Sequence, residues 1–293
     1  MSIVRPQKIT VAHSPDADDA FMFYALARGK VDTEGFEFHH TLQDIQKCNV
    51  DALRRKFDVT AFSFASYPKI ADHYKIMTCG ASMGEKDYGP LIVAKTPLTL
   101  SALAQKKIAI PGEMTTAALA LKLVLPEAKH FRIFPFNRIL DAVCSGEADA
   151  GLLIHEGQLV FQKKGLFEIL NLGRWWWEQE KLPLPLGGNG IAKDLDPVVQ
   201  IKVDRLLKKS IQYALQHRAE ALDYALQFAG DLNPKLTDRF VGMYVNERTL
   251  DYGKEGRRAV EKLLQRGMEC GLLPHVEPEF LVHSPLSVVH SPL

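Results

Sequence analysis

The feature that most constrains this chain is a sustained alternation of short apolar runs with helical patterns, the rhythm of strands joined by crossover helices into a mostly parallel sheet. Ile9 to Ala12 reads as a strand. A helix from about Asp19 to Arg28 follows and is stopped by Gly29. Phe36 to His39 and a helix from about Leu42 to Lys56 repeat the unit, and Val59 to Phe64, Lys75 to Cys79 and Leu91 to Lys95 read as further strands. The Thr96-Pro97 step ends this series, because a helix cannot run through it.

A second βα series begins with Lys107 to Ile110 and a helix from Thr115 to Val124. It continues through Phe131 to Phe134 and a helix from Asn137 to Ser145, and closes on Ala148 to Ile154. Phe167 to Asn171 adds a strand, and the stretch holding Pro183, Pro185, Gly187 and Gly188 reads as a return hinge. Beyond Asp196 apolar residues recur at three and four residue steps, from Leu206 through Ile211 to Ala225, and a last helix spans about Lys254 to Met268. The expectation is an α/β protein of two lobes. Residues 1–96 plus 189–293 form a larger discontinuous lobe, and 97–188 form a smaller inserted one. Such a hinge architecture holds its ligand in the cleft, just beyond strand C-termini.

Composition narrows the partner. With 36 Lys+Arg against 35 Asp+Glu along 293 residues, no basic face invites nucleic acid or an anionic membrane. No stretch reaches the roughly 18 apolar residues that a membrane span needs. The opening residues lack the apolar core and cleavage site of a secretory signal, which gives a cytoplasmic expectation. Cys48, Cys79, Cys144 and Cys270 form no C-x-x-C pair and read as free thiols. The echo of His283-Ser284-Pro285-Leu286 in His290-Ser291-Pro292-Leu293 is too short to be a structural array.

Four segments could carry chemistry. His13-Ser14-Pro15-Asp16-Ala17-Asp18-Asp19 follows the first strand, and Asp18 or Asp19 can cap the helix it opens. Its acids fit neither a calcium loop nor a zinc pattern, so no metal is expected. Thr60 to Ser66 places hydroxyls at a strand end, where Ser63 suits a ligand and Ser66 a cap. Gly112 to Ala117 is a strand–turn–helix start, and its paired Thr115 and Thr116 stand where unpaired amides suit a carboxylate. Gly151-Leu152-Leu153-Ile154-His155-Glu156 sets an imidazole directly after a buried strand, where it can act as general base. No G-x-S-x-G elbow accompanies it, so acyl transfer does not fit. Trp175-Trp176-Trp177 could wall a flat ring or simply fill the core.

Taken together, these segments, with Trp175-Trp176-Trp177-Glu178 and Leu182-Pro183-Leu184-Pro185-Leu186-Gly187, resemble the futalosine-pathway menaquinone biosynthesis family, and within it the 1,4-dihydroxy-6-naphthoate synthases, from His13 to about Gly271. The resemblance implies a periplasmic-binding-protein-like fold and a carbon–carbon lyase that works without metal or redox cofactor. Its substrate would be cyclic dehypoxanthinyl futalosine, cleaved to 1,4-dihydroxy-6-naphthoate and dihydroxyacetone. It implies His155 as proton acceptor and Ala61, Phe62, Ser63, Thr115, Thr116, Ala117 and Asp19 as substrate-contacting or supporting residues. The partner would be a small carboxylate, and the assembly a monomer or weak homodimer. The competing expectations are chorismate dehydratase of the same pathway, a non-catalytic carboxylate receptor of the same fold, and a ligand-sensing domain, which a DNA-binding segment would have supported.

Overall fold

A computed structural model describes residues 6–230 and 232–283. The chain begins β1 (Gln7–His13), α1 (Ala17–Ala27), β2 (Phe36–Leu42), α2 (Ile45–Ala52), β3 (Val59–Ser63), α3 (Tyr67–Ile70), β4 (Tyr74–Ile76), β5 (Ser82–Gly84). It then runs through β6 (Leu91–Ala94), α4 (Leu100–Ala104), β7 (Ile108–Ile110), α5 (Thr116–Val124), β8 (Phe131–Ile133), α6 (Ile139–Ser145), β9 (Ala150–Leu153), α7 (Gly157–Val160), β10 (Phe167–Asn171) and α8 (Leu172–Glu180). It closes with β11 (Leu184–Ala192), α9 (Pro197–Gln216), α10 (Arg218–Ala225), α11 (Pro234–Tyr244), α12 (Glu247–Leu250) and α13 (Gly253–Glu269).

Two sheets result, ordered β2-β1-β3-β11-β4, with β5 also on β11, and β10-β6-β9-β7-β8. In each, strands joined by a crossover helix pair in parallel, β1 with β2 and β3, and β7 with β8 and β9. The strands reached by crossing between sheets run antiparallel: β11 against β3, and β6 against β9. Helices α1, α9, α10 and α11 bury Phe21, Phe23, Leu206, Ile211 and Val241 with β1 and β3 of the first sheet. The C-terminal helices therefore pack on the first sheet, as their periodicity suggested.

Sheet membership corrects two boundaries. Leu91 to Ala94 pairs with β9 and β10 and so belongs to the second sheet, although the expected break was at residue 96. The Pro/Gly stretch is not a flexible hinge but β11, a nine-residue strand lying between β3 and β4. Its glycines are the reason: a Cβ on Gly188 would lie 2.5 Å from the Tyr252 hydroxyl and 2.9 Å from the Phe64 ring, so aromatic side chains close directly on the strand backbone. Strand β2 also extends to Leu42, and Asp44 caps α2, so the helix expected from Leu42 starts three residues later.

The tryptophan run is settled in favour of the core. Trp176 is fully buried, and its indole N–H donates to the Pro183 carbonyl at 3.0 Å. Of the four cysteines, Cys48 and Cys79 are buried and all are free. The echoed tetrapeptide falls, after His283, outside the described residues. Trp176→Ala should cost about 3–5 kcal/mol in urea denaturation, the range for removing a large buried aromatic. Trp175→Ala, at a half-buried position, should cost clearly less.

Candidate active site

One cavity lies between the sheets, with about 710 Å³ free of protein atoms when its open mouth is counted. The start of α1, the end of β3, the start of α5, the turn after β9 and strand β11 all contribute to its lining. Every site residue expected from the sequence lines it: Asp19, Ala61, Phe62, Ser63, Thr115, Thr116, Ala117 and His155.

Asp16, rather than Asp18 or Asp19, caps α1. Its Oδ1 accepts the Asp19 amide at 3.2 Å, because Asp16 is the last extended residue before the helix. Its Oδ2 lies 2.8 Å from Nδ1 of His155. A carboxylate can only accept, so Nδ1 carries a proton, and Nε2 carries the lone pair once the ring is neutral. Nε2 is buried without a partner, His155 lines the cavity, and the Phe136 ring lies 4.5 Å from the imidazole. The backbone of His155 has φ +54°, a left-handed conformation that costs a non-glycine residue on the order of 1–2 kcal/mol. Strain of this kind collects at functional sites, and here it turns the ring back toward α1.

Electrostatics follow from this contact. Burial disfavours the imidazolium, but the charge and hydrogen bond of Asp16, helped by Glu156 and Asp19, outweigh it and push His155 up to about 8. Burial likewise opposes charge on Asp16, and His155 overcomes it, holding that carboxyl well below the usual range. Burial and then Asp16 push Asp19 up to about 8, although its Oδ2 accepts the Ser14 amide at 2.7 Å. Asp19 thus clamps the loop. Asp16, Asp18 and His155 bring ligand-type atoms within 4.8 Å of one another. The Asp16–His155 hydrogen bond accounts for two of the three.

The second grouping offers donors. The Ser63 hydroxyl accepts from the Asn49 amide at 3.1 Å, which leaves its own proton free to donate into the cavity. Asn49 also accepts from the Ser63 amide at 2.8 Å and from the Ser66 hydroxyl at 3.0 Å, so one buried side chain fixes the whole strand end. The threonine hydroxyls, in contrast, are spent. Thr115 caps Ala118 and donates to Gly112, while Thr116 donates to the Leu186 carbonyl at 2.6 Å and accepts from Ala65. What α5 can offer a carboxylate is the pair of amides at Thr116 and Ala117, which no protein acceptor takes.

Sequence reasoning missed Asp16 as the partner of histidine, Asn49 as the support of Ser63, and Asn189. The last donates to the Gly80 carbonyl at 3.1 Å and leaves its own carbonyl oxygen unpaired in the cavity. Among the described residues, seven buried side-chain atoms lack a partner, and those of Ser14, Asp18, His155 and Asn189 all line this one cavity. Buried polar atoms are normally paired, so their concentration marks a place where a ligand completes the hydrogen bonding.

Comparison with known proteins agrees. Residues 9–269 match the family described as menaquinone biosynthesis. The chain belongs to that family. It is 36% identical over 276 residues to the 1,4-dihydroxy-6-naphthoate synthase of Thermus thermophilus, covering 94% of this chain and 100% of that one. The crystal structure of protein AF1704 from Archaeoglobus fulgidus superposes with a TM-score of 0.87 at 44% identity, covering 91% of this chain and 98% of that one. The alkanesulfonate-binding protein SsuA of Xanthomonas axonopodis pv. citri, bound to MOPS, shares the fold with a TM-score of 0.68 at 12% identity, covering 95% and 97%. The architecture of this menaquinone-biosynthesis chain is therefore periplasmic-binding-protein-like. No helix among its described residues is long and apolar enough to cross a membrane.

The His155 shift carries a sign. Its contribution to stability is complete below the ordinary value of 6.5 and is lost as pH rises through about 8. Asp16→Asn removes the charge that outweighs burial, so NMR titration of His155 should move from about 8 in the parent protein to below 6.5 in the variant.

Proposed function

We propose that this chain is a 1,4-dihydroxy-6-naphthoate synthase, a carbon–carbon lyase that converts cyclic dehypoxanthinyl futalosine to 1,4-dihydroxy-6-naphthoate and dihydroxyacetone, with His155 as general base. The observation that carries the reading is the unpartnered Nε2 of His155, a residue that Asp16 holds through Nδ1 and that lines a cavity with free carboxylate donors.

The substrate's aryl carboxylate would take the Thr116 and Ala117 amides and the Ser63 hydroxyl, charge-assisted bonds that fix the ring without a lysine or arginine. Asn189 and Ser14 would meet the hydroxyls of the sugar-derived part. Apolar groups of Ile45, Leu186 and Phe240 would flank the ring. Nε2 then removes a proton from carbon, and Asp16 stabilises the imidazolium that forms, as a carboxylate does for any histidine base. Aromatisation of the product pulls the carbon–carbon cleavage forward.

The two sheets act as lobes that close on the substrate. Contacts that bridge them, Asp16 to His155, Tyr244 to Gln158 and Thr116 to Leu186, all border the cavity, so closure and assembly of the base are one event. The reading places the enzyme in the cytoplasm, as a monomer or weak homodimer that needs no cofactor. Chorismate dehydratase is the second reading, supported by the same carboxylate donors.

His155→Ala should reach the same fold, at a cost of about 3–5 kcal/mol for the stranded Asp16 carboxylate, and lose on the order of 10²–10⁴ in kcat, the span of a general base. Purified protein incubated with cyclic dehypoxanthinyl futalosine, and separately with chorismate, followed for the naphthoate chromophore, decides between the readings. Unchanged turnover in the variant would take His155 out of the mechanism. Because the base works as the neutral imidazole, kcat/KM should rise with pH up to about 8.

A further inference from the structure

Asp18 has no role so far. It is the second residue of α1 and is buried, with 7% of its surface exposed. Its Oδ2 accepts from the Ser82 hydroxyl at 3.3 Å, and its Oδ1 is sealed in the cavity wall without a partner. The other ionisable groups around it are Asp16 and Asp19 on its own turn, Glu156 at the start of α7, His155 after β9 and Tyr244 of α11. No lysine or arginine lines the cavity, and the one histidine there, His155, is already hydrogen-bonded to Asp16. The first amides of α1 give Asp18 no relief either, since that of Ala17 points to Glu156 and that of Asp19 to Asp16.

A carboxyl group that is buried, crowded by anions and short of donors keeps its proton. Burial first, then the charges of Asp16 and Asp19, hold Asp18 well above the usual carboxylate range. Asp18 thus lines the cavity as an acid, not as an anion, with one oxygen that has no partner.

Building on the naphthoate-synthase reading, we propose that Asp18 is a second catalytic residue of this site, an acid that gives its carboxyl proton to a ring oxygen of the substrate as His155 takes a proton from carbon. The C–H bond breaks and its proton passes to Nε2. The electron pair left behind becomes the carbon–carbon double bond of an enol, as the carbonyl π pair moves onto oxygen. That oxygen takes the Asp18 proton, and a ring ketone becomes a ring hydroxyl of the kind the product carries. The site then holds an imidazolium and a carboxylate where it held two neutral groups, so its net charge is unchanged. Return of the proton from His155 to Asp18 after product release resets both.

Asp18→Asn keeps the shape and a hydrogen-bond donor but has no proton to give. With cyclic dehypoxanthinyl futalosine its kcat should fall on the order of 10²-fold with KM little changed. The infrared carbonyl band of a protonated carboxylic acid, present in the parent protein at neutral pH, should lose the Asp18 component. An active parent with an Asp18→Asn variant at full kcat, or with no acid band lost, overturns the proposal and leaves the parent reading standing. A parent protein that forms no naphthoate overturns both. Should Asp18→Asn not fold, the kcat profile of the parent decides: an acid needed with its proton on gives an alkaline falling limb, and a flat profile up to the pH of unfolding refutes it.

Discussion

The hydrogen bond between Asp16 and His155 joins the N-cap of α1, on the first sheet, to the turn that follows β9, the central strand of the second. Most of what the cavity can do depends on it. One carboxylate caps α1 through one oxygen and fixes the imidazole tautomer through the other, so helix initiation, lobe contact and base orientation share a single side chain. Burying the two charges is costly, and their attraction returns little net stability. Removing one partner is a different matter, because it strands the other as an uncompensated buried charge, at about 3–5 kcal/mol. That asymmetry holds the pair in place even though an apolar contact would serve folding as well.

Period and punctuation made much of the fold legible. Runs such as Leu91 to Ala94 and Ala150 to Leu153 are apolar throughout because the strands are buried on both faces, and the helix start expected at Thr115 carries a side chain that does cap. Sheet membership was not legible, since a buried strand reads the same in either sheet. Nor was β11, whose prolines and glycines are turn signals locally and become strand residues only because Tyr252 and Phe64 need the space above Gly188. Local preference lost to tertiary packing there.

The site divides along the same line. His155, Ser63 and the threonine pair could be found because each follows a strand or opens a helix. Asp16 could not be separated from Asp18 and Asp19, since any of three acids within four residues can cap; where the helix starts decides which does, and His155, 139 residues away, takes the other oxygen of that cap. Asn49 and Asn189 gave no signal at all. Each is a lone amide in an apolar setting, and its importance lies in what it touches across the fold. The threonine pair was read as a helix start with unpaired amides, and in the structure its hydroxyls are taken within the protein while those amides have no acceptor there.

A solute receptor and a lyase can share this scaffold, as the likeness to SsuA shows, yet they ask different things of the cleft. A receptor for anions needs donors, and the α5 amides with Ser63 supply them. It gains nothing from a proton acceptor held dry beside a carboxylate, because an unpaired imidazole nitrogen and an unpaired carboxyl oxygen both cost free energy in the empty site. Those atoms sit on His155 and Asp18, a residue with strained backbone and one crowded by like charge. Features that weaken the empty protein and add nothing to affinity for an anion are what the proposed step, in which protons move, would use, and that step would separate this cleft from a binding site of the same shape.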